Sequence, residues 1–344
     1  MFERLVVPIC IAALVGGFGV ASLADEAPTL APDGGMRTLL AGFARPAAAA
    51  AGPAAGASPA AELGKALFFD PRLSGSGAMS CASCHNPALG WQDGRTTALG
   101  AHGKPLPRHT PTLVDVALVQ PLFWDGRAET LEDQARLPLE TASEMDMPEA
   151  QAVRRVSSIP GYRSLFAAAF PGQPVSIDAI ARAIAAYERT IVSGSSPFDR
   201  WIAGDEGAVS ESAKRGFALF AGKADCASCH SGWRFTDDGF HDIGLASADP
   251  GRARFVPGVV ILQHAFKTPT LRGVADRGPY MHDGSVATLE AVVDHYDHGY
   301  LSRPSLAAQM KPLHLAPRDR TDLVAFLRAL TGDDGQVVLP QLPR

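Results

Sequence analysis

Two identical pentapeptides, Cys-Ala-Ser-Cys-His, constrain this chain more than any other feature of its sequence. The first runs from Cys81 to His85 and the second from Cys226 to His230. A Cys-x-x-Cys-His segment places two thiols on one turn, where they can add to the two vinyl groups of a porphyrin, and it places an imidazole under the ring as an iron ligand. The repeat therefore predicts two covalently attached c-type haems.

The cysteine inventory supports this interpretation. The chain has five cysteines, and one of them, Cys10, lies in the apolar N-terminal run. The other four form the two pairs, Cys81 with Cys84 and Cys226 with Cys229. A structural zinc site with four thiolates is the alternative, but it does not explain the histidine that follows each pair. We expect His85 and His230 to be the proximal iron ligands.

The N-terminus has the pattern of an export signal. A short charged start is followed by an apolar run from Leu5 to Leu23, and Ser22-Leu23-Ala24 offers small residues for cleavage. We predict a signal peptide over residues 1–24 and a periplasmic location. A retained membrane anchor is the alternative, and Pro8 together with several glycines disfavours it. After signal removal, no segment is apolar for long enough to span a membrane.

The remaining chain divides into a leader and two similar halves. Residues 25–60 are rich in Ala, Pro and Gly, and we expect a flexible leader there. We expect one haem domain over residues 61–204 and a second over residues 205–336, with a boundary near Ser193 to Pro197 or just after it.

Each pentapeptide is flanked by helical patterns. Gly64-Lys65-Ala66-Leu67-Phe68 precedes the first, and Gly216-Phe217-Ala218-Leu219-Phe220 precedes the second. Apolar residues with helical spacing follow at 178–191 and 319–330. Strand patterns are few. The predicted fold class is therefore all-α, with two cytochrome c-like domains that each carry one covalent haem.

Longer motifs surround both pentapeptides. They are Phe68-Phe69-Asp70-Pro71-Arg72-Leu73-Ser74, Arg108-His109-Thr110-Pro111-Thr112-Leu113, Phe123-Trp124-Asp125-Gly126-Arg127-Ala128, Phe266-Lys267-Thr268-Pro269-Thr270-Leu271-Arg272 and Pro279-Tyr280-Met281-His282-Asp283-Gly284-Ser285. In their order and spacing, residues 61–332 resemble the bacterial dihaem cytochrome c peroxidase and MauG superfamily.

For the first haem, the resemblance implies a site where peroxide reacts. Glu144 matches the acid of the family, which moves a proton between the peroxide oxygens, and Gln134 and Pro138 match residues of its pocket. Trp124 matches a tryptophan between the haems that can carry an electron or a hole. Without the resemblance, Glu144 would be interpreted as a solvated loop carboxylate and Trp124 as a buried anchor of the domain interface.

For the second haem, the resemblance places Tyr296 at the position of the second iron ligand. Conventional peroxidases of the family have Met there, whereas MauG-like members have Tyr, which stabilises ferric and higher oxidation states. The alternatives are a core tyrosine without a ligand role, or ligation by Met281 or Met310.

Two histidines depart from the family pattern. His102 lies near the position of a histidine that binds the first iron in resting peroxidases. The loop that carries His102 is offset by one residue from the family pattern, so the alternative is a surface histidine without a ligand role. His109 replaces an Asn that helps many relatives to hold calcium between the domains. Imidazole is a poor calcium ligand, although backbone carbonyls near Arg277 and Pro279 remain available. Whether calcium is a third cofactor stays open.

The charge of the chain argues against one class of partner. The formal net charge is −5 and no basic stripe occurs, which argues against nucleic acid as a partner. The resemblance implies an enzyme that uses hydrogen peroxide to form a high-valent dihaem state and oxidises a periplasmic redox protein or protein substrate at long range. The precursor of methylamine dehydrogenase is one such substrate.

Two alternatives stay open. The first is a conventional cytochrome c peroxidase that takes electrons from a small cytochrome or cupredoxin. The second is a non-catalytic dihaem electron carrier with both irons six-coordinate, in which Glu144, Gln134 and Pro138 would have no purpose.

Overall fold

The structure is a computed structural model that describes residues 33–50 and 58–344. The predicted signal peptide and Cys10 lie outside the described residues. Twelve α-helices are present in this part of the chain: α1 Asp33–Ala41, α2 Ala47–Ala50, α3 Pro59–Phe68, α4 Cys81–Cys84, α5 Leu131–Glu140, α6 Glu149–Ser158, α7 Pro160–Ala169, α8 Ile177–Glu188, α9 Pro197–Ile202, α10 Glu211–Ala221, α11 Leu289–Asp294 and α12 Pro317–Ala329.

Other regular structure is short. A π-helical turn, His295–Gly299, follows α11 directly, and several 3-10 turns occur in the loops. Strands β1, Phe240–His241, and β2, Phe266–Lys267, pair antiparallel as a two-residue ribbon. The predicted all-α class is therefore confirmed for the described residues, with this ribbon as a small addition.

The first hydrophobic core forms where α3 crosses α8. Serine hydroxyls cap the first turns of both helices, since Ser58 Oγ accepts from Ala61 N and Ser176 Oγ accepts from Ala179 N. The predicted apolar face of α8 is buried, including Ile180 and Ile184. Helices α5, α6 and α7 pack around this pair and complete the core.

The second core repeats this plan with α10 crossing α12. Ser210 caps α10 through its hydroxyl, which accepts from Ala213 N. An aromatic cluster fills the crossing, and its closest pair, Phe220 and Phe326, has ring centroids 4.9 Å apart. Helix α9 belongs to this core, because Phe198 is fully buried within it.

The leader expected over residues 25–60 is ordered where the structure describes it. Helix α1 covers Asp33–Ala41, and Leu40 and Phe43 are buried in the second core. The Phe43 ring lies 5.4 Å from that of Phe217 and 5.2 Å from that of Phe235. Two apolar side chains among the small residues are therefore buried in the second core, which stabilises the position of this stretch.

One repeated glycine sets the distance between the crossing helices in each half. A Cβ on Gly64 would lie 1.8 Å from the carbonyl oxygen of Ala183, and a Cβ on Gly216 would lie 1.9 Å from the carbonyl oxygen of Asp322. Any side chain at either position would therefore push the two helices apart.

The two halves meet along a polar seam. The Arg108 guanidinium bonds Asp125 Oδ2 at 2.5 Å within the first half and Asp249 Oδ2 at 2.7 Å in the second. Arg252 donates to the carbonyls of Asp125 and Gly126, at 2.9 and 2.6 Å. These bonds fix the two cores relative to each other.

The C-terminal segment adds a second connection between the halves. It leaves α12 and returns to the first core, where the Arg344 carbonyl accepts from Gly161 N at 2.8 Å and the Pro343 carbonyl accepts from Arg72 Nη2 at 2.9 Å. The two halves are therefore linked both in the middle of the chain and at its C-terminus.

Across residues 33–50 and 58–344, none of the helices combines the length and the apolar character that crossing a membrane requires.

The close helix crossings predict the effect of adding one methyl group. We expect Gly64→Ala and Gly216→Ala each to lower the free energy of unfolding by about 1–3 kcal/mol, because a backbone carbonyl cannot move away as a side chain can. Chemical denaturation followed by circular dichroism measures this. Gly207→Ala is the control, since its nearest neighbouring atom would be 3.5 Å away. Equal stability of all three variants would contradict the steric argument.

Candidate haem sites and the cavity between them

Both pentapeptides open into one continuous cavity of about 670 Å³. Side chains of both halves line it, including the two cysteine pairs and both motif histidines. The described part of the chain thus brings the two predicted haem-binding segments together at the seam.

The motif histidines have the same environment in both halves. The Nδ1 of His85 lies 3.1 Å from the carbonyl oxygen of Trp91, and the Nδ1 of His230 lies 2.8 Å from that of Phe235. Because a carbonyl oxygen only accepts, each Nδ1 donates, and Nε2 is left as the nitrogen for iron. Burial lowers the pKa of both rings, so both are neutral at neutral pH.

The thiols also fit covalent haem attachment. Cys81 and Cys84 lie on the single turn of α4, and Cys226 lies on a 3-10 turn that ends just before Cys229. All four thiols are unpaired and line the cavity. Two thiols and a neutral imidazole on one turn therefore face one space in each half, which is the donor set that a c-type haem needs.

The residues predicted for the peroxide site gather on the first side of the cavity. Gln134 and Pro138 line it from α5, and Glu144 lines it from the loop after this helix. The Glu144 carboxylate forms no hydrogen bond with any described residue. Burial raises its pKa, while the charge of Arg127 opposes the shift. Its charge in turn acts on Cys84, which indicates that it lies near the first pentapeptide.

Trp124 connects the two halves at the seam. Its indole Nε1 donates to the carbonyl of His109 at 2.9 Å, and its own carbonyl accepts from the backbone N of Lys267 at 2.8 Å. The side chain lines the cavity that both pentapeptides share. The geometry thus accommodates both interpretations of Trp124, as an interface anchor and as a residue between the two sites.

Tyr296 lies on the second side of the cavity, in the π-helical turn after α11. Such turns are rare and occur often at functional sites, because they redirect one side chain. Burial raises the pKa of the phenol. The phenol oxygen forms no hydrogen bond with any described residue. Met281 and Met310, the alternative ligands, also line the cavity.

The two histidines that depart from the family pattern have different environments. His102 has an exposed side chain whose Nε2 lies 3.5 Å from Asp146 Oδ2, and it does not line the cavity. His109 is buried at the seam, where its Nδ1 donates to the carbonyl of Arg95 at 2.8 Å and its backbone N donates to that of His282 at 2.8 Å. The structure therefore keeps His102 away from the first pentapeptide.

A second internal repeat was missed in the sequence. Phe123 and Met281 have positive φ angles of 67° and 74°, and each precedes the turn that carries Trp124 or His282. The same antiparallel bridge closes both turns, Leu122 with Ala128 and Tyr280 with Val286. His282 is thus the counterpart of Trp124 in the second half. The Asp-Gly dipeptide that follows both residues was the sequence signal that could have revealed this repeat.

One cluster of possible metal ligands lies beside the second pentapeptide. Among the described residues, Cys229, Asp237 and His241 are the one group of His, Cys, Asp and Glu side chains close enough to share an ion. The predicted haem attachment would convert the Cys229 thiol into a thioether, which would leave only the ion pair of 2.8 Å between His241 and Asp237. The group therefore belongs to the second haem site.

Glu188 is a buried acid that the sequence did not reveal as a site residue. It lies at the end of α8, is 4% exposed and lines the cavity near Cys81. Its Oε2 has no hydrogen-bond partner. Burial raises its pKa to about 8, so it is mostly protonated at neutral pH. Its position beside the apolar face of a predicted helix was the only available signal.

Sequence comparisons identify related proteins over most of the chain. The family described as di-haem cytochrome c peroxidase matches residues 58–207, and the cytochrome c family matches residues 213–331. The methylamine utilization protein MauG of Methylorubrum extorquens is 54% identical, over 82% of this chain and 80% of that protein. The cytochrome c551 peroxidase of Nitrosomonas europaea is 38% identical, over 82% of this chain and 83% of that protein.

Solved structures agree with these relatives. A MauG-like protein associated with microbial copper homeostasis has a TM-score of 0.73 and 33% identity, covering 80% of this chain and 90% of that one. The diheme peroxidase BthA of Burkholderia thailandensis has a TM-score of 0.71 and 27% identity, covering 80% and 86%.

The burial of Glu188 predicts a pH dependence of stability. An unfolded glutamate has a pKa near 4.5, whereas burial raises that of Glu188 to about 8. The folded state therefore binds the extra proton between these values, and stability falls as the pH rises from 5 to 8, by about 1.4 kcal/mol per pH unit at most. We expect Glu188→Gln to remove this slope in urea unfolding, and Glu129→Gln, on the surface, to retain it. Identical slopes for both variants would refute the assignment.

Proposed function

The chain belongs to the bacterial dihaem cytochrome c peroxidase and MauG superfamily, and from this premise we propose that it uses hydrogen peroxide to oxidise a protein partner at long range. Membership makes it a peroxidase-type oxidoreductase with two covalent haem c groups. The observation that carries the proposal is the asymmetry of the cavity, which has the unpartnered Glu144 carboxylate near the first pentapeptide and the unpartnered Tyr296 phenol near the second.

Glu144 is suited to moving a proton. When bound, the haems supply the redox chemistry, which is reduction of peroxide and storage of the oxidising equivalents. Because no described residue holds the Glu144 carboxylate, its oxygens are available to take a proton from one peroxide oxygen and return it to the other. Partial burial raises its pKa towards neutrality, which favours both transfers near neutral pH.

Gln134 and Pro138 shape the space in which Glu144 works. Both are on α5, which the Thr130 hydroxyl caps by accepting from Asp133 N at 3.1 Å. The Gln134 amide can donate to a bound oxygen and orient it. Pro138 has no N–H and presents only its ring, so it fills space near the site without competing for that oxygen.

Trp124 provides a path between the two sides. An indole can lose an electron and regain it, which divides one long transfer into two shorter ones. The bond from its Nε1 to the His109 carbonyl fixes the ring at the seam. We propose that oxidising equivalents pass through Trp124 towards the side of Tyr296.

Tyr296 is proposed as the second ligand of the iron that His230 holds. A phenolate stabilises ferric and higher oxidation states, so this side would store oxidising equivalents instead of electrons. Bonding to iron would also remove the phenol proton, which burial otherwise retains.

The names of two relatives support a choice of partner, and the N-terminal sequence supports a location. Two of them, from Methylorubrum extorquens and Methylophilus methylotrophus, are named methylamine utilization protein MauG and are 54% and 51% identical. We propose that the substrate is a periplasmic redox protein or its precursor, with that of methylamine dehydrogenase as the first to test. The export pattern of residues 1–24 supports the periplasm.

Peroxide added anaerobically to the fully ferric protein tests the proposed function. We expect a long-lived state oxidised by two equivalents, which optical and Mössbauer spectra detect. Reaction only after one-electron reduction would indicate a conventional cytochrome c peroxidase instead. No reaction in either state would indicate an electron carrier.

The same assay tests Glu144. We expect Glu144→Gln to slow the reaction with peroxide by about 10²–10⁴-fold, because an amide cannot shuttle the proton. Glu129→Gln, which changes an exposed acid, should react like the wild type in stopped-flow measurements. An unchanged rate for Glu144→Gln would refute its role.

The ligand assignment has its own spectroscopic test. We expect Tyr296→Met to gain the charge-transfer band of a Met-ligated ferric haem and to raise the reduction potential of the second haem. Tyr280→Phe is the matched control, since Tyr280 also lines the cavity but donates to the carbonyl of Val274 at 3.1 Å. If the wild type already shows this band, a methionine is the ligand and the assignment is wrong.

A further inference from the structure

Arg277 is a buried cation that pairs with no carboxylate among the described residues. Its side chain is 9% exposed. Its guanidinium donates through Nε to the carbonyl of Gly273 at 3.1 Å and through Nη2 to that of Thr270 at 2.7 Å. Burial lowers its pKa to about 10, so it still carries its charge at neutral pH. Asp334, Asp115 and Asp276 act on this charge without forming an ion pair with it. Carbonyl oxygens are therefore its direct partners among the described residues.

The position of Arg277 is the seam between the two halves. Its guanidinium bonds belong to the second half, while its aliphatic stem lies against Gly90 in the first, where an added Cβ would approach Arg277 Cγ to 2.7 Å. Gly90 has a positive φ of 64° and precedes Trp91, whose carbonyl holds His85. Next to Arg277, the carbonyl of Gly278 accepts from Gln92 Nε2 at 3.0 Å.

The same position is where the family resemblance would put calcium. The expected carbonyls are those of Arg277 and Pro279, and the expected side-chain ligand is at residue 109. Calcium takes six to eight oxygens, including carboxylates. Here residue 109 is a histidine whose Nδ1 already donates to the Arg95 carbonyl. The backbone N of His109 donates to the carbonyl of His282, so residue 109 lies against the loop that follows Arg277. The residues present do not fit the ion.

We propose that Arg277 replaces the calcium ion, supplying a fixed positive charge at the seam and making this protein independent of calcium. A guanidinium donates where a metal would accept electron pairs, so it binds the carbonyls of Thr270 and Gly273 without needing carboxylates. Its charge also repels a dication from the space beside it.

Calcium titration of the wild-type holoprotein is the first test. After treatment with a chelator, we expect no heat of binding in calorimetry with CaCl₂ and the same melting temperature in CaCl₂ as in EGTA. Binding of one calcium ion with a rise in melting temperature would overturn the proposal. This result does not depend on any variant being able to fold.

Variants of Arg277 form the second test. We expect Arg277→Met to lower the melting temperature and to change the separation between the two haem reduction potentials, because the seam loses its charge and both carbonyl bonds. Arg277→Lys retains the charge but not the planar set of donors of a guanidinium. We expect its melting temperature and potential separation to lie between those of the wild type and Arg277→Met. Arg200→Met is the matched control, because Arg200 is exposed and forms no ion pair among the described residues. If Arg277→Met matches that control in melting temperature and in the separation of the potentials, Arg277 does not substitute for calcium.

A double variant tests the exchange itself. In His109→Asn with Arg277→Met, the repelling charge is gone and an amide oxygen faces the seam. We expect CaCl₂ to raise the melting temperature of this protein above its value in EGTA, whereas the wild type shows no difference. Absence of any calcium effect in the double variant would count against the seam being a former metal position.

Discussion

The hydrogen bond from each motif histidine to a backbone carbonyl is the interaction on which the rest of the site depends. The Nδ1 of His85 binds the Trp91 carbonyl, and that of His230 binds the Phe235 carbonyl. Each bond selects one tautomer, leaves Nε2 as the nitrogen that would hold an iron, and ties the pentapeptide to the loop after it. The helix crossings fix the surroundings of these loops, because Gly64 and Gly216 allow a separation that no larger residue would permit.

Two halves with the same crossing-helix plan present different side chains to the cavity, and these side chains lie outside the repeated elements. The cavity has an unpartnered carboxylate on one side, at Glu144, and an unpartnered phenol on the other, at Tyr296. The seam holds both sides at a constant distance through bonds such as that of Arg108 with Asp249. The difference between the two sides therefore lies within a frame whose halves are bonded directly to each other.

Much of this arrangement could be predicted from local pattern. The pentapeptides predicted the haem-binding segments, which the structure brings to one cavity, and apolar spacing predicted α8 and α12, because both signals lie within a few residues. The burial of Leu40 and Phe43 could not be predicted, since both pack in a core that begins only at Phe198, far away in sequence. Glu188 and Arg277 were missed for a similar reason. Burial beside a cavity depends on distant packing, and neither residue lies in a recognisable motif of its own.

The burial of the cysteines has a consequence for how the protein is made. In the folded chain, burial raises the pKa of Cys84 to about 11 and that of Cys226 to about 12, and it raises that of Cys81 as well. Such thiols are poor nucleophiles, because reaction needs the thiolate. The cavity that would receive the porphyrins is also lined by both halves. Thioether formation is therefore easier on an open chain, where these thiols are solvated, than in the folded protein.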